Sequence, residues 1–442
     1  VVLRMRRPRY WGKDAPESPF GVHVSSRTQH VRMAKAMGAN WVRLHDLAGE
    51  SVCWAFLEPE PGKWQFRDDM ISRYREQRMK LVGELGTAPG WASYWQGSGR
   101  KAFTYFDRYF QVKRLEDYAN YVKKVVEHYK GRIDAYNVWD EPMVAAHFAV
   151  AYDEALGLGP AAYVASANPQ IDYANLMRTA YGAAKPVDGN VTIVGVNSVT
   201  SGGVERHRIG GTEWTRGVLE AGGIESCDAV DYHQDTDELT LVPDDAVARG
   251  HDVAMGPLRA REGAIPRPVW MTEGQGTRGM SRSGMYQSTV PGGPGESPLE
   301  LCSYTCRFVI SLLAQGASKV FLYAMAADGD LFSPDPRSCL MTGDGRLHPS
   351  ACAYSQMARQ LEDTQFSRRL ELADGVWAYV FTGDGRSVAV LSAGPRHAPY
   401  TIPHPAGAAV EDMLGNPVAD GAEMDQGLVY ISGPGDAAAL DG

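Results

Sequence analysis

The sequence predicts an α/β fold, a closed (β/α)8 TIM barrel followed by a carboxy-terminal antiparallel β-sandwich-like domain. Three observations carry this: eight short β-rich runs, helical periodicity in the gaps between them, and a change of texture after Leu361. Strands alternating with helices give a parallel sheet. Eight such units over about 310 residues favour a closed barrel over an open sheet.

The first strand is Phe20–Val24, followed by a helical stripe over Gln29–Met37 that stops at Gly38. Strands two to four are Trp41–His45, Met79–Leu85 and Ile133–Trp139, with a helix at Arg114–Tyr129 before the fourth. Strands five to eight are Val191–Val196, Ala229–Gln234, Val269–Glu273 and Lys319–Met325, with a helix at Ser303–Gln315 before the last. The Gly/Ser/Pro-rich segments 197–215 and 274–300 follow strands five and seven and read as long loops over the barrel mouth. Beyond Leu361, Val376–Phe381 and Ser387–Leu391 flank Gly383-Asp384-Gly385 as a hairpin, and short strands at Pro399–Ile402 and Leu428–Ile431 follow. The expected organisation is a segment 1–17 packing on the barrel or the β domain, a barrel over 18–360, and a β domain over 361–442.

Composition excludes several function classes. Apolar residues are 44% and charged residues 22% of 442, ordinary for a globular chain and unlike a disordered one. Lys and Arg number 44 against 53 Asp and Glu, without like-charge blocks, so no nucleic-acid partner is expected. No run approaches the length of a membrane span and mean hydropathy is −0.30, so no membrane partner is expected. The chain opens Val1-Val2-Leu3-Arg4-Met5 with neither an initiator Met nor an apolar signal core, which leaves the compartment open. Its six cysteines form no disulfide framework and no zinc-finger spacing; Cys302 and Cys306, one helical turn apart, read as buried thiols. Oligomeric state is not legible.

In a barrel the chemistry belongs at the carboxy-terminal ends of the strands. Glu141 follows strand four in Trp139-Asp140-Glu141-Pro142, and Glu273 ends strand seven in Trp270-Met271-Thr272-Glu273. Strands four and seven face each other across the mouth, so this pair is placed to flank a glycosidic bond, one carboxyl protonating the leaving oxygen and one attacking the anomeric carbon. Either residue alone reads more readily as a helix cap or an arginine partner than as a catalytic group. Arg43 and His45, two apart on strand two, share a side. Arg43 is positioned to pair with Glu273 and keep it charged. His45, Glu84 and His233 are candidate hydroxyl contacts, with buried structural roles as the alternative. Trp54, Trp91, Trp95 and Trp139 lie in or near mouth loops. Trp91 and Trp139 are the better candidate platforms for flat sugar faces, while Trp64 reads as structural. Asn197 and Tyr323 are further candidates. His23, His45 and His233 raise a metal site, but strand one lacks His-x-His and strand eight ends without Asp, so no metal and no cofactor is expected.

Trp139-Asp140-Glu141-Pro142 and Trp270-Met271-Thr272-Glu273 resemble the acid/base and nucleophile motifs of the clan A retaining glycoside hydrolases. Arg43-Leu44-His45-Asp46 resembles the Arg-x-His motif of family 39, the β-xylosidase and α-L-iduronidase group, and Glu84-Leu85-Gly86-Thr87-Ala88-Pro89 resembles its turn after strand three. The resemblance implies a carbohydrate substrate, Glu141 as acid/base and Glu273 as nucleophile. It implies a retaining glycosidase, with a β-linked sugar as the default. The long loops after strands five and seven are placed to close one end of the cleft, which points to exo-action on short oligosaccharides or glycoconjugates. Two positions depart from the pattern. Asp140 stands where Asn binds the sugar 2-hydroxyl, and strand six reads His233-Gln234-Asp235 where His-x-Tyr is usual, its Tyr steadying the nucleophile. A carboxylate at 140 would raise the pKa of Glu141 and keep it protonated. The rivals are a sugar-binding barrel without efficient turnover and a metal-dependent barrel hydrolase or isomerase.

Overall fold

The computed structural model describes residues 5–45, 52–98, 106–157, 159–200, 208–235, 243–275, 298–327, 339–394, 397–425, 427–436, 438 and 440. Eight parallel strands close into a barrel: β1 (Phe20–Val22), β2 (Trp41–Leu44), β3 (Lys80–Leu85), β4 (Ala135–Val138), β5 (Thr192–Val199), β6 (Ala229–Asp235), β7 (Val269–Gln275) and β8 (Ala317–Leu322). Each is followed by a helix: α1 (Thr28–Ala36), α2 (Asp68–Glu76), α3 (Leu115–Tyr129), α4 (Pro169–Ala184), α5 (Gly211–Glu220), α6 (Pro243–Glu262), α7 (Pro298–Ala314) and α8 (Pro349–Leu361). Closure is made by β1 pairing with both β2 and β8, as in Val22↔Val42 and Val22↔Leu322.

The strands form where β-branched and aromatic residues alternate between the two barrel faces. Trp41, Val82, Ala135, Val194, Ala229, Trp270 and Phe321, one from each of seven strands, pack as one buried cluster. That packing makes the barrel a filled core, so a substrate is confined to the mouth. The helices turn amphipathic faces to the strands; α3 buries Tyr118, Tyr121, Val122, Val125, Val126 and Tyr129.

The carboxy-terminal sheet is antiparallel, in the order β9 (Gln365–Ala373), β10 (Val376–Gly383), β11 (Arg386–Ala393), β13 (Leu428–Pro434), β12 (Ala409–Asp412). Trp377, Tyr379, Phe381, Val388, Val390 and Tyr430 join the main core, and the alternate residues Val376, Ala378, Val380, Ala389, Leu391 and Ile431 form a second one. The β10–β11 hairpin turns through Asp384 and Gly385 with φ of 52° and 68°, the two-residue geometry that such a sequence favours. In the amino-terminal segment, Arg6 pairs with Glu411 at 2.6 Å and the Pro16 carbonyl accepts from Lys319 Nζ at 2.8 Å.

Three local expectations change. Strand five continues to Val199, and α5 begins at Gly211, so the 197–215 loop is largely structured outside residues 201–207, which lie outside the described set. Gly211 is required there, since a Cβ would lie 1.8 Å from the Val199 carbonyl oxygen. Strand β9 was not anticipated, because its polar sequence QFSRRLELA buries no residue fully. Pro399–Ile402 makes only a bridge, Thr401 to Glu423. Most of the 274–300 segment lies outside the described residues.

Candidate active site

The site is assembled from buried polar residues at the carboxy-terminal ends of the strands. Arg43, fully buried on β2, is its centre. Nη1 donates to Glu273 Oε2 at 2.8 Å, while Nη2 donates to Asp140 Oδ1 at 2.8 Å and Asn137 Oδ1 at 3.0 Å. One guanidinium thus ties β2, β4 and β7 together, using the fork geometry that only Arg offers. Asn137 in turn donates to Asp231 Oδ2 on β6 at 3.0 Å, and Thr272 Oγ1 donates to the same oxygen at 2.8 Å.

Glu141 sits on a strained turn. Trp139 and Glu141 have φ of 65° and 41°, left-handed values uncommon for such residues. The Asn197 carboxamide holds the turn from both sides: Nδ2 donates to the Trp139 carbonyl at 2.9 Å and Oδ1 accepts from the Glu141 N–H at 3.1 Å. Asn197 is fixed by its own N–H donating to Asp231 Oδ1 at 2.8 Å. This amide therefore positions Glu141 through the backbone. On the side chain, Glu141 Oε1 lies 3.1 Å from His233 Nδ1, and Oε2 lies 3.6 Å from His147 Nδ1.

On the opposite wall, Gly274 lets β7 run close to β6 beside Glu273, since a Cβ there would lie 2.2 Å from the Gln234 carbonyl oxygen. Atoms of Asp140, His233 and Glu273 lie within 4.8 Å of one another. His233 thus neighbours both candidate catalytic carboxylates. His45 pairs with Glu84 and approaches Asp140 Oδ2 at 3.4 Å. Glu84 is fully buried, so it anchors His45 beneath the cleft rather than meeting solvent. Below Glu273, His23 Nε2 lies 2.9 Å from the Thr272 carbonyl oxygen, and the Tyr323 ring packs edge-on against His23 at 5.1 Å.

The electrostatics follow from this crowding. Burial, together with Asp140, raises the Glu273 pKa to about 8 against the pull of His233 and Arg43. Glu141 is also pushed up by burial, but the hydrogen bond and charge of His233 outweigh this and hold it below the ordinary carboxylate value. Burial lowers the His233 pKa, yet Glu273 and Glu141 overcome it and raise it to about 9. Asp140 is held well below its usual value because His45 and Arg43 outweigh its burial. The expectation that Asp140 would keep Glu141 protonated is thus corrected: His233 dominates Glu141. Arg43 pairs with Glu273 as expected, but burial leaves that carboxyl above the usual range.

Two indoles are not where the sequence put them. Trp139 is fully buried, its Nε1 donating to the His147 carbonyl at 2.6 Å and its ring against Phe148, so it offers no face to a sugar. Trp91 lies with Trp64 in a groove beside α3, its Nε1 donating to the Glu58 carbonyl at 3.1 Å. Asp235 closes β6, and its side chain lies outside the described residues. The sequence reading missed Asn137, Asp231 and His147. In the sequence the first two stand two residues before Trp139 and His233, the period of one strand face, so a spacing signal was present. His147 lies in a short turn with no periodicity to reveal it.

Among the described residues, two side-chain groups could ligate an ion: His45 with Glu84 and Asp140, and Asp140 with His233 and Glu273. In the second group the Arg43 guanidinium already stands as the cation between Asp140 and Glu273.

Several solved structures share this architecture. A family 39 glycoside hydrolase from the gut symbiont Bacteroides cellulosilyticus WH2 superposes with a TM-score of 0.63 at 19% identity, covering 94% of this chain and 81% of that one. A monomeric β-xylosidase from Caulobacter crescentus CB15 gives 0.55 at 15% identity, covering 98% and 99%. A GH30 endoxylanase from Clostridium papyrosolvens C71 gives 0.56 at 12% identity, covering 97% and 98%. No protein-family model matches the chain, and no curated protein matches it in sequence. The chain has the barrel-and-sheet fold of these glycoside hydrolases.

Proposed function

We propose that the protein is a retaining glycoside hydrolase acting by double displacement, exo-acting on a β-linked sugar of short oligosaccharides or glycoconjugates. The observation that carries this reading is the placement of Glu141 and Glu273 on facing strands, joined through Arg43, Asp140 and His233. Glu141 protonates the leaving oxygen while Glu273 attacks the anomeric carbon and forms a glycosyl-enzyme. Glu141, now a carboxylate, takes a proton from water, whose oxygen displaces Glu273 and releases the sugar. The β-linkage draws on the β-xylosidase among the structural neighbours; the exo mode rests on the long segments that follow strands five and seven in the sequence.

In the reactive form Glu273 is ionised and one proton is held between Glu141 and His233, whose titration belongs to the pair.

This arrangement sets a pH dependence. Glu273 attacks only as a carboxylate, so kcat/KM falls as the pH drops through about 8. The Glu141–His233 pair must keep its proton, so kcat/KM falls as the pH rises through about 9. The expected profile is a bell with its maximum between those values; a maximum near pH 5 contradicts it.

The test of the reading is hydrolysis of a panel of aryl α- and β-glycosides followed by proton NMR of the first-formed sugar. Release of the substrate's own anomer is expected. Release of the opposite anomer, or no hydrolysis across the panel, overturns the reading.

A further inference from the structure

Asp231 lies in the middle of β6, fully buried, and accepts three hydrogen bonds. Its Oδ1 takes the Asn197 N–H from β5 at 2.8 Å. Its Oδ2 takes Asn137 Nδ2 from β4 at 3.0 Å and Thr272 Oγ1 from β7 at 2.8 Å. Four barrel strands therefore meet on one carboxyl group.

Both strands beside Asp231 are irregular where they meet it. On β5 the register passes from Gly195 opposite Val230 to Ser198 opposite Tyr232, so Val196 and Asn197 together stand against Asp231. Both are left-handed, with φ of 85° and 48°, a strained state for a branched residue such as Val196. On β7 the register passes from Met271 opposite Tyr232 to Glu273 opposite His233, so Thr272 is the extra residue. Such a bulge takes a residue out of the ladder and re-aims its neighbours. Asp231 accepts from both bulges, through the Asn197 N–H and the Thr272 hydroxyl. What they aim is the candidate chemistry: the Asn197 carboxamide clamps the Trp139–Glu141 turn, and Glu273 directly follows Thr272. The third bond sets an orientation. With its nitrogen on Asp231, the Asn137 carboxamide turns its oxygen to Arg43 Nη2, and the same guanidinium holds Glu273.

We propose that Asp231 is a positioning residue for both catalytic carboxyls, seating Glu141 through Asn197 and Glu273 through Thr272, Asn137 and Arg43. The proposal rests on the glycosidase reading for the roles of Glu141 and Glu273. It has a sharp chemical consequence. Asn at position 231 offers one acceptor and one donor where three donors point at it. If its oxygen keeps the Asn197 N–H, its nitrogen faces Asn137 Nδ2; reversed, its nitrogen faces the Asn197 N–H. Thr272 adapts to either, because a hydroxyl accepts as well as donates. Exchanging the two residues, Asp231→Asn with Asn137→Asp, removes the conflict. The carboxylate at 137 then accepts from Arg43 and from the amide at 231, whose oxygen stays on the Asn197 N–H. Composition and net charge are kept, and the contact of Asn137 Nδ2 with the Val194 carbonyl at 3.4 Å is given up.

The experiment measures kcat/KM on an accepted aryl glycoside for wild type, Asp231→Asn and the exchanged protein, with thermal unfolding of each. The single variant is expected to lose about 10²-fold, the scale of a small misplacement of reacting groups. The exchange is expected to recover at least about tenfold of that loss, since the two sites are coupled. A folded single variant within about threefold of wild type overturns the proposal. So does an exchanged protein that fails to fold or turns over no faster than the single variant. A second arm needs no turnover: crystal structures of wild type and Asp231→Asn. Either the bond from the Asn197 N–H to position 231 or that from Arg43 to Asn137 is expected to open, and retention of both overturns the proposal. A wild-type protein that hydrolyses no glycoside defeats the glycosidase reading, while the crystallographic arm still judges the role of Asp231 in holding these contacts.

Discussion

On the double-displacement reading proposed above, replacing Glu273 with Ala is expected to lower the turnover of every accepted glycoside by at least about 10⁴-fold, because no other group takes over nucleophilic attack. Arg43 keeps its hydrogen bonds to Asp140 and Asn137, so the site keeps most of its frame. The truncation leaves room for a small anion beside the Arg43 Nη1 that Glu273 vacates. Added azide is therefore expected to restore turnover of activated aryl glycosides and to form a glycosyl azide of inverted configuration. Steady-state kinetics with and without azide check both parts. A variant within about tenfold of wild type would remove Glu273 from the nucleophile role.

Arg43→Met has the largest expected effect on stability. Arg43 is fully buried and serves Glu273, Asp140 and Asn137 at once. Removing a buried cation leaves its carboxylate partners uncompensated, at a cost of about 3–5 kcal/mol. Met fills similar volume, so lost charge rather than a cavity dominates. Denaturant unfolding at neutral pH reads the loss, and adding Asp140→Asn recovers part of it by removing one stranded charge. Arg43→Lys keeps the charge but not the fork, so it should be intermediate. A midpoint for Arg43→Met equal to that of wild type would show that the guanidinium does not hold the mouth together.

Much of this arrangement is legible in the residues. Alternating apolar runs reveal all eight barrel strands, because a filled barrel demands such residues on each one. Glu141, Glu273 and Arg43 stand out because strand ends place them around one opening. What escapes is what periodicity does not encode. Strand β9 is half-exposed and polar, and its pairing with β10 fixes it from outside its own sequence. The Trp139 indole turns into the protein at a left-handed residue, which an extended-strand reading cannot foresee. Trp91 packs edge-on against Trp54 and stays beside α3 instead of at the carboxyls. The reversal of Glu141 and Glu273 acidity depends on how closely His233 approaches Glu141, a distance set by two strands far apart in sequence.

The central claim is that Glu273 forms a covalent bond to a sugar. The most direct measurement is the intact mass of wild type and Glu273→Ala after incubation with 2-deoxy-2-fluoro glycosyl fluorides, followed by peptide mapping. Fluorine at C2 slows release of the sugar, so the glycosyl-enzyme persists. The account predicts a gain of one fluorosugar in wild type only, located on the peptide carrying Glu273. No adduct with a fluorosugar whose aryl glycoside the protein hydrolyses, or an adduct on another residue, would contradict it.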